Sequence, residues 1–365
     1  MNDINERYMR RALVLARKGS GRTSPNPAVG CVIVRDGVIV GEGWHRKAGT
    51  PHAEVHALRD AGSKAHGADV YVTLEPCSHF GKTPPCADAL IDAGVKRVFV
   101  GMVDPNPKVM GRGIEKLRAA GIEVAAGLFE SECRKLNEAF IKHVTTGLPF
   151  VIYKSAMTMD GKTATASGDS KWITSDKSRR YVHKLRSMVD AVMVGAGTVV
   201  ADDPLLTSRI PGGRDPLRVI VDSKLRIEPT AKVLTVLSPA DTLIATVTSE
   251  PEKNVRLVGA GGKVLICPTR EGRVDLQALL RSLGERKVQS ILLEGGAELA
   301  GDFLRQGLID KLLFFYAPKL VGGDAPGPFR GPGTETMAAG MRLRDISITR
   351  FDDDMLVEAY PCSQD

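Results

Sequence analysis

The chain reads as an α/β protein built from two domains, and three observations carry that reading. Its 365 residues exceed one typical domain and suit two. Short aliphatic runs alternate with helical patterns, most regularly in the second half, which implies a largely parallel sheet there. Helical patterning over residues 130–143 ends at Thr145-Thr146-Gly147-Leu148-Pro149, a break that divides the chain into residues 1–146 and 147–365. No low-complexity linker and no internal repeat is present.

In the first half, Met9, Ala12, Leu13 and Ala16 recur at helical spacing over residues 5–18, and Gly19 is the stop. Pro25-Asn26-Pro27 is a turn and residues 29–34 a strand. Asp36-Gly37 is a hairpin signal, and residues 38–40 return. Gly41-Glu42-Gly43-Trp44-His45 reads as irregular. Pro51 introduces a helix over residues 53–58. A strand at 69–74, a helix at 87–93 stopped by Gly94, and a strand at 95–100 follow.

The second half opens with a strand at 149–156. Further strands are expected at 191–194, 219–223, 242–247, 263–266 and 290–294. Two of these run into glycine turns, Gly195-Ala196-Gly197 and Gly295-Gly296, and a helix follows the second to about Gln306. Glycines at strand ends let backbone N–H groups approach a phosphate. Gly195-x-Gly197 lacks the third glycine of the dinucleotide fingerprint and by itself reads as a tight turn, while Gly295-Gly296 after Glu294 is the better signal. Taken as a pair, they suggest a cofactor cleft. Residues 341–360 are extended and predict an antiparallel edge.

Composition narrows the function classes. A chain 43% hydrophobic and 25% charged is an ordinary globular one. Aromatics at 5%, with no dense Lys/Arg run, argue against a nucleic-acid platform. The +7 formal charge fits either a solvated basic surface or an anion-binding role. Six scattered cysteines do not form a disulfide scaffold, and Cys31 and Cys267 read as buried strand thiols. The N-terminus carries no apolar signal core and no long apolar span occurs, so a cytoplasmic location is expected.

His52-Ala53-Glu54, Pro76-Cys77 and Cys86 carry the chemistry. One His and two Cys suit zinc, and three protein ligands leave a fourth position for water. His52 and Glu54 lie about 200° apart on a regular helix, so both can face one metal only if His52 sits at the helix entry. Cys86 likewise opens a helix, where N–H groups and the dipole favour thiolate. Zinc lowers the pKa of bound water, and Glu54 would take its proton and pass it to a ring nitrogen and a departing amine. Zinc deaminases share this His-x-Glu and Pro-Cys signature, but with two residues between the cysteines where this chain has eight. His56, one turn after His52, reads as a packing residue, although as a fourth ligand it would close the site. His66 and His143 read as surface residues, and His45 and His79 flank the cleft.

Together with Thr73-Leu74-Glu75-Pro76-Cys77-Ser78-His79 and Gly81-Lys82-Thr83-Pro84-Pro85-Cys86, these residues resemble the deaminase half of the bifunctional riboflavin-biosynthesis deaminase–reductase family, in which a long spacer between the cysteines is usual. Residues 156–162, Trp172-Ile173-Thr174, 194–198, 201–207 and Glu294-Gly295-Gly296 resemble its reductase half, so the likeness covers nearly the whole chain. It implies a cytidine-deaminase-like three-layer α/β/α domain followed by a dihydrofolate-reductase-like α/β domain. The implied reactions are zinc-dependent deamination of 2,5-diamino-6-ribosylamino-4(3H)-pyrimidinone 5′-phosphate, then NADPH-dependent reduction of its ribosyl group to ribityl.

By the resemblance, His52, Cys77 and Cys86 hold one zinc ion and Glu54 is catalytic. Asn26, Lys82 and Asn106 contact base and phosphate. Ala156, Trp172, Thr198, Asp202, Ser223 and the loop Gly296, Ala297, Glu298, Leu299, Ala300, Gly301 and Asp302 hold NADPH. Ser170, Arg186, Leu206, Arg209 and Glu294 hold substrate, with Lys154 near the ribose. Arg186 and Arg209 suit a phosphate because a guanidinium pairs bidentately. Plainer readings stand beside these: Asn26 and Asn106 as turn residues between prolines, Lys82 as a loop charge, the arginines as surface groups and Trp172 as core. The expected partners are a phosphorylated pyrimidine and further copies of the chain, with no nucleic acid and no membrane. An RNA-editing deaminase and a metal-stabilised binding protein are the competing readings.

Overall fold

The computed structural model describes residues 3–78, 84–107 and 109–362. It divides into two compact units, Met1–Gly147 and Leu148–Asp365. In the first, helix α1 (Asp3–Arg17) leads to the hairpin β1 (Gly30–Arg35) and β2 (Val38–Trp44), then α2 (Ala53–Ala61), β3 (Asp69–Leu74), α3 (Cys86–Asp92), β4 (Arg97–Met102), α4 (Arg112–Ala119), β5 (Glu123–Ala126), α5 (Glu130–Leu136) and α6 (Glu138–Thr146). The sheet order is β2-β1-β3-β4-β5, with β1 antiparallel to both neighbours and β3, β4 and β5 parallel.

The two-residue alternation of a strand builds three layers. Val32 and Val34 join Tyr71 under Tyr8, Met9, Ala12 and Leu15 of α1. Cys31 and Ile33 join Val70 and Val72 under Ala53, Ala57, Leu90 and Leu117 of α2, α3 and α4.

The stretch 41–45 expected to be irregular is mostly strand, since β2 continues to Trp44. Its glycines serve helix packing. A Cβ on Gly41 would lie 2.3 Å from Ala57 O, and one on Gly43 would lie 2.2 Å from Ala53 O. The helix expected over 130–143 is two helices, broken at Asn137 (φ −115°, ψ 21°). The buried Asn137 amide accepts Ala28 N–H at 2.8 Å and donates to Ala28 O at 3.1 Å, which ties the break to the segment entering β1. The strand expected at 95–100 begins at Arg97, because Val95 N–H closes the turn onto Leu90 O.

The second unit runs β6 (Phe150–Thr158), α7 (Asp176–Met188), β7 (Ala191–Gly195), α8 (Ala196–Asp202), β8 (Leu217–Val221), α9 (Lys232–Thr235), β9 (Thr242–Thr246), α10 (Pro251–Gly259) and β10 (Gly262–Ile266). A short hairpin follows, β11 (Thr269–Arg270) and β12 (Arg273–Val274), then α11 (Leu276–Glu285), β13 (Ser290–Glu294), α12 (Ala297–Arg305), β14 (Lys311–Ala317), β15 (Leu343–Phe351) and β16 (Asp354–Pro361). Nine strands form one sheet in the order β10-β9-β8-β7-β13-β6-β14-β16-β15. It is parallel from β10 through β14, and the antiparallel β15–β16 pair supplies the expected edge. Every residue of the central β13 is buried, as expected of a strand covered on both faces. Cys267 is buried but lies just past β10, outside the strand. Among the described residues, no helix is long and apolar enough to cross a membrane.

The fit of α2 on β2 has a measurable consequence. Gly43→Ala should destabilise the first unit by about 1–3 kcal/mol, the usual cost of forcing a methyl into a packed contact. Denaturant titration followed in both units checks this, and the second unit's transition should stay in place.

Candidate active sites

His52 is the N-cap of α2, with extended backbone (φ −75°, ψ 172°), and Glu54 falls in the helix's first turn. The ring therefore leaves the helix entry toward the ends of β3 and α3, as the two-residue spacing requires. His52 Nδ1 lies 3.3 Å from Cys86 Sγ and 3.6 Å from Cys77 Sγ. Two ligands on one tetrahedral zinc, at Zn–N of about 2.05 Å and Zn–S of about 2.3 Å, sit about 3.6 Å apart. The donor set thus fits zinc in spacing as well as in chemistry. The three donor atoms lie within 4.8 Å of one another, and His56 is outside the group.

Electrostatics point the same way. The Cys86 thiol and N–H both donate to Cys77 Sγ, and with His52 they hold Cys77 well below the ordinary thiol range. That thiolate and burial push Cys86 upward. Burial, and then the Cys77 charge, raise Glu54 to about 7. Glu54 is 3% exposed, and its Oε2 has no hydrogen-bond partner among the described residues. A Cys77 thiolate beside a buried carboxyl with one unpartnered oxygen is a setting that suits a cation.

His45 is buried against His52, ring centroids 5.2 Å apart and edge-on. Its Nδ1 lies 3.2 Å from Pro51 O and its Nε2 lies 3.1 Å from Asn26 Nδ2. Burial lowers its pKa, which favours the neutral ring with Nδ1–H donating to Pro51 and Nε2 accepting from Asn26. Asn26 is therefore held at the site's edge and is more than a turn residue. His79 and Lys82 lie outside the described residues. His143 is half-buried, while His66 is exposed as expected.

Glu75 shows a function that its motif alone did not reveal. Its buried carboxylate accepts N–H groups from Asp104 (3.0 Å), Gly111 (3.0 Å), Gly113 (2.9 Å) and Ile114 (3.3 Å). It pins the segment carrying Asn106 and the start of α4 to the strand end that carries Cys77.

In the second unit a cavity of about 880 Å³ opens along the strand ends. The expected residues Ser170, Thr198, Asp202, Ser223, Gly296 and Ala297 line it, as do Glu298, Leu299 and Asp302. A Cβ on Gly197 would meet no atom within 4 Å, so this wall has room for a ligand group. The helix expected after Gly295-Gly296 is α12, entered through a cap at Gly296 (φ 72°), so most of the segment 296–302 is helix and not loop. Helical periodicity turns Ala300 and Gly301 inward, Ala300 fully buried and Gly301 against Arg330 O, so neither lines the cavity. A smaller cavity of about 210 Å³ is lined by Lys154, Ala156 and Ser170 and shares Gly295 and Gly296 with the first.

Three expectations change here. Arg186 is not a surface arginine offering its fork to a phosphate. It is buried, and Nε and Nη2 donate to the two Glu294 oxygens at 2.7 and 2.9 Å, with Nη1 on Thr207 O at 3.2 Å. Burial pushes the Glu294 carboxyl up, but Arg186 outweighs it and the net shift is downward. Leu206 is 2% exposed and packs in the core. Trp172, 64% exposed, is not core, and the Arg179 guanidinium sits 4.4 Å over its ring. Lys154, opposite Glu294 in the β6–β13 register, is lowered by burial and further by Arg186 while Glu294 opposes the shift. Arg209 is exposed, and its charge is felt by His183 beside Arg186 and Glu294. That histidine was not among the expected residues.

Comparison with known proteins bears on both units. Residues 2–102 match the model for the cytidine and deoxycytidylate deaminase zinc-binding region, and residues 149–357 match the RibD C-terminal domain. The riboflavin biosynthesis protein RibD of Escherichia coli is 47% identical over 364 residues, covering 96% of this chain and 98% of that protein. The chain belongs to the RibD family.

RibD proteins join a deaminase and a reductase in riboflavin biosynthesis, and both parts are present here. A RibD structure from Acinetobacter baumannii superposes with a TM-score of 0.89 at 41% identity, covering 99% of each chain. One from Thermotoga maritima, described as a diaminohydroxyphosphoribosylaminopyrimidine deaminase/5-amino-6-(5-phosphoribosylamino)uracil reductase, gives 0.88 at 41% identity over 99% of each. Membership in RibD overturns the RNA-editing and binding-protein readings. The Glu75 clamp yields a test within this framework. Glu75→Gln turns an acceptor into a donor facing backbone N–H groups. Zinc content should hold at one per chain while deaminase kcat/KM falls about 10- to 100-fold through misplacement of the Asn106 segment. Reductase turnover should not change.

Proposed function

We propose that the chain uses zinc to deaminate 2,5-diamino-6-ribosylamino-4(3H)-pyrimidinone 5′-phosphate, then uses NADPH to reduce the ribosyl side chain, giving 5-amino-6-(5-phosphoribitylamino)uracil. The observation that carries the reading is the pairing of a three-donor zinc site with a buried Glu54 whose Oε2 has no partner among the described residues, in a chain whose second unit has a glycine-turn cavity beside Lys154.

When bound, zinc supplies Lewis acidity and lowers the pKa of water. The chain's residues do the rest. Glu54, within reach of the donor cluster and screened from solvent, accepts the water's first proton and delivers it to the ring nitrogen, then carries the proton of the added hydroxyl to the leaving amine. The C–NH2 carbon thereby exchanges nitrogen for oxygen, and ammonia departs. Asn26, oriented by His45, presents its amide to the pyrimidine.

NADPH, when bound, supplies the hydride for the sugar's C1′ in its open form. The turns at Gly195 and Gly295–Gly296 open onto the cavity and leave room for its phosphates. The half-buried Lys154 lines the smaller cavity where the ribose would sit, and its register partner Glu294 is locked by Arg186. Further copies of the chain complete the expected assembly.

Incubation with the diaminopyrimidinone phosphate, with and without NADPH, tests both steps and their order. Ammonia should appear without NADPH, and NADPH should be consumed only afterwards. Failure of both reactions would overturn the reading. Glu54→Gln should keep zinc by metal analysis yet lose ammonia release by about 10²-fold or more, the scale of one general acid–base group. Chelation should abolish ammonia release and leave reduction of the deaminated compound intact.

A further inference from the structure

β6 leaves the sheet through the turn Asp160-Gly161-Lys162, and its parallel neighbour β14 leaves beside it, with Ala317 opposite Thr158. The chain after β14, residues 319–330, forms neither helix nor strand. It runs along the β6 turn as a strap. Gly327 and Pro328 of the strap line the smaller cavity, and Pro326 and Arg330 line the larger one. A segment without a helix or a ladder of its own is placed by whatever its backbone groups bond to.

Asp160 holds the first part of the strap. Its carboxylate accepts Gly322 N–H at 2.7 Å and Val321 N–H at 3.3 Å, and the Thr158 hydroxyl donates to it at 2.6 Å. The Thr158 hydroxyl, and then Gly322 N–H, hold the Asp160 carboxyl low, at about 2, so it is ionised throughout the neutral range. Gly322 and Gly323 have left-handed backbone, φ 70° and 60°, which lets the strap turn there. Lys162 Nζ then donates to Ala325 O at 3.1 Å, and Thr163 N–H to Pro326 O at 2.8 Å. Tyr153, buried on β6 and lining the smaller cavity, donates its hydroxyl to Pro328 O at 2.6 Å. Gly327 stands between these fixed neighbours, so close to the β6 turn that a Cβ on it would lie 3.6 Å from Gly161 O. The far end of the strap has an anchor of its own, since Arg330 N–H donates to Ala297 O at 2.9 Å at the start of α12.

We propose that Asp160 and Tyr153 are positioning residues of the reductase: through the strap they set the wall that Gly327 and Pro328 give the smaller cavity, and so hold the sugar and not the dinucleotide. The inference rests on the reductase reading. The division follows from the anchors. Asp160 and Tyr153 act on the strap between Val321 and Pro328, beside the cavity that Lys154 lines. On the larger cavity, Pro326 is held by Thr163 and Arg330 by Ala297, and neither bond involves Asp160 or Tyr153. A methyl at position 160 leaves the Val321 and Gly322 N–H groups without their acceptor. An amide there can still accept those N–H groups and donate to the Thr158 hydroxyl.

The test is steady-state kinetics of the full zinc-loaded chain, with the deaminated ribosylamino compound and NADPH varied in turn. Asp160→Ala should raise KM for the ribosylamino compound about 10-fold and leave KM for NADPH within about two-fold, as for a displaced wall that touches one substrate only. Tyr153→Phe keeps the ring and removes the hydroxyl. It should raise the same KM by about 3- to 10-fold, the scale of one lost hydrogen bond. Asp160→Asn should restore that KM to within about three-fold of the unaltered chain. Ammonia release should not change in any of the three. A second unit that is merely destabilised would lose kcat with its folded fraction and keep both KM values. That outcome, unchanged kinetics, an equal rise in both KM values, or no recovery in Asp160→Asn would overturn the positioning role and leave the reductase reading intact. If the unaltered chain consumes no NADPH with this compound, the reductase reading fails and the positioning role with it.

Discussion

Helix α2 lies so close to β2 that its carbonyl oxygens occupy the space of the side chains absent at Gly41 and Gly43. The small residues Ala53, Ala57 and Ala61 form the other half of this contact. The approach sets where the helix begins, and the helix entry sets where His52 points and how deep Glu54 is buried. On the far side of the site, Glu75 performs the matching task with hydrogen bonds, fixing the Asn106 segment and α4 to the end of β3. A steric contact and a buried carboxylate together hold the three metal-donor side chains and the Asn106 segment in one frame.

The two units treat buried acid in opposite ways. Glu294 is buried but satisfied, because Arg186 meets both its oxygens, and the pair is rigid scaffolding beside the smaller cavity. Glu54 is equally buried with one oxygen unmatched, next to two cysteines that share a proton. A buried charge without a partner is costly, so it marks the place where a cation or a proton belongs. The same physical rule thus distinguishes a buried acid whose charge is already matched from one that has room for a further partner.

Much of this was legible along the chain. The strands at 69–74 and 290–294, the antiparallel tail and the helix entries at Ala53 and Cys86 follow from local apolar patterning and stop signals. His52, Glu54, Cys77 and Cys86 were legible because zinc chemistry needs those residue types and a non-helical His two positions before the Glu. The failures share one cause. Gly41-Glu42-Gly43 looked like a loop because its partner is a helix ten or more residues later. Residues 130–143 looked continuous because the amide that stops the helix at Asn137 bonds to Ala28, 109 positions away.

The sequence alone determined the chemistry available: a zinc donor set with a carboxylate beside it, two glycine turns at strand ends, and residues resembling a deaminase joined to a reductase. Only the tertiary structure decided which groups are free to use it. Arg186 and Glu294 are 108 positions apart and spend their charges on each other. Asp222 turns inward, while Lys224 and Arg270, 46 positions apart, line one cavity. The reason is that residue type and local pattern are properties of short segments. Desolvation and partnering depend on which distant segments the fold brings within hydrogen-bond reach.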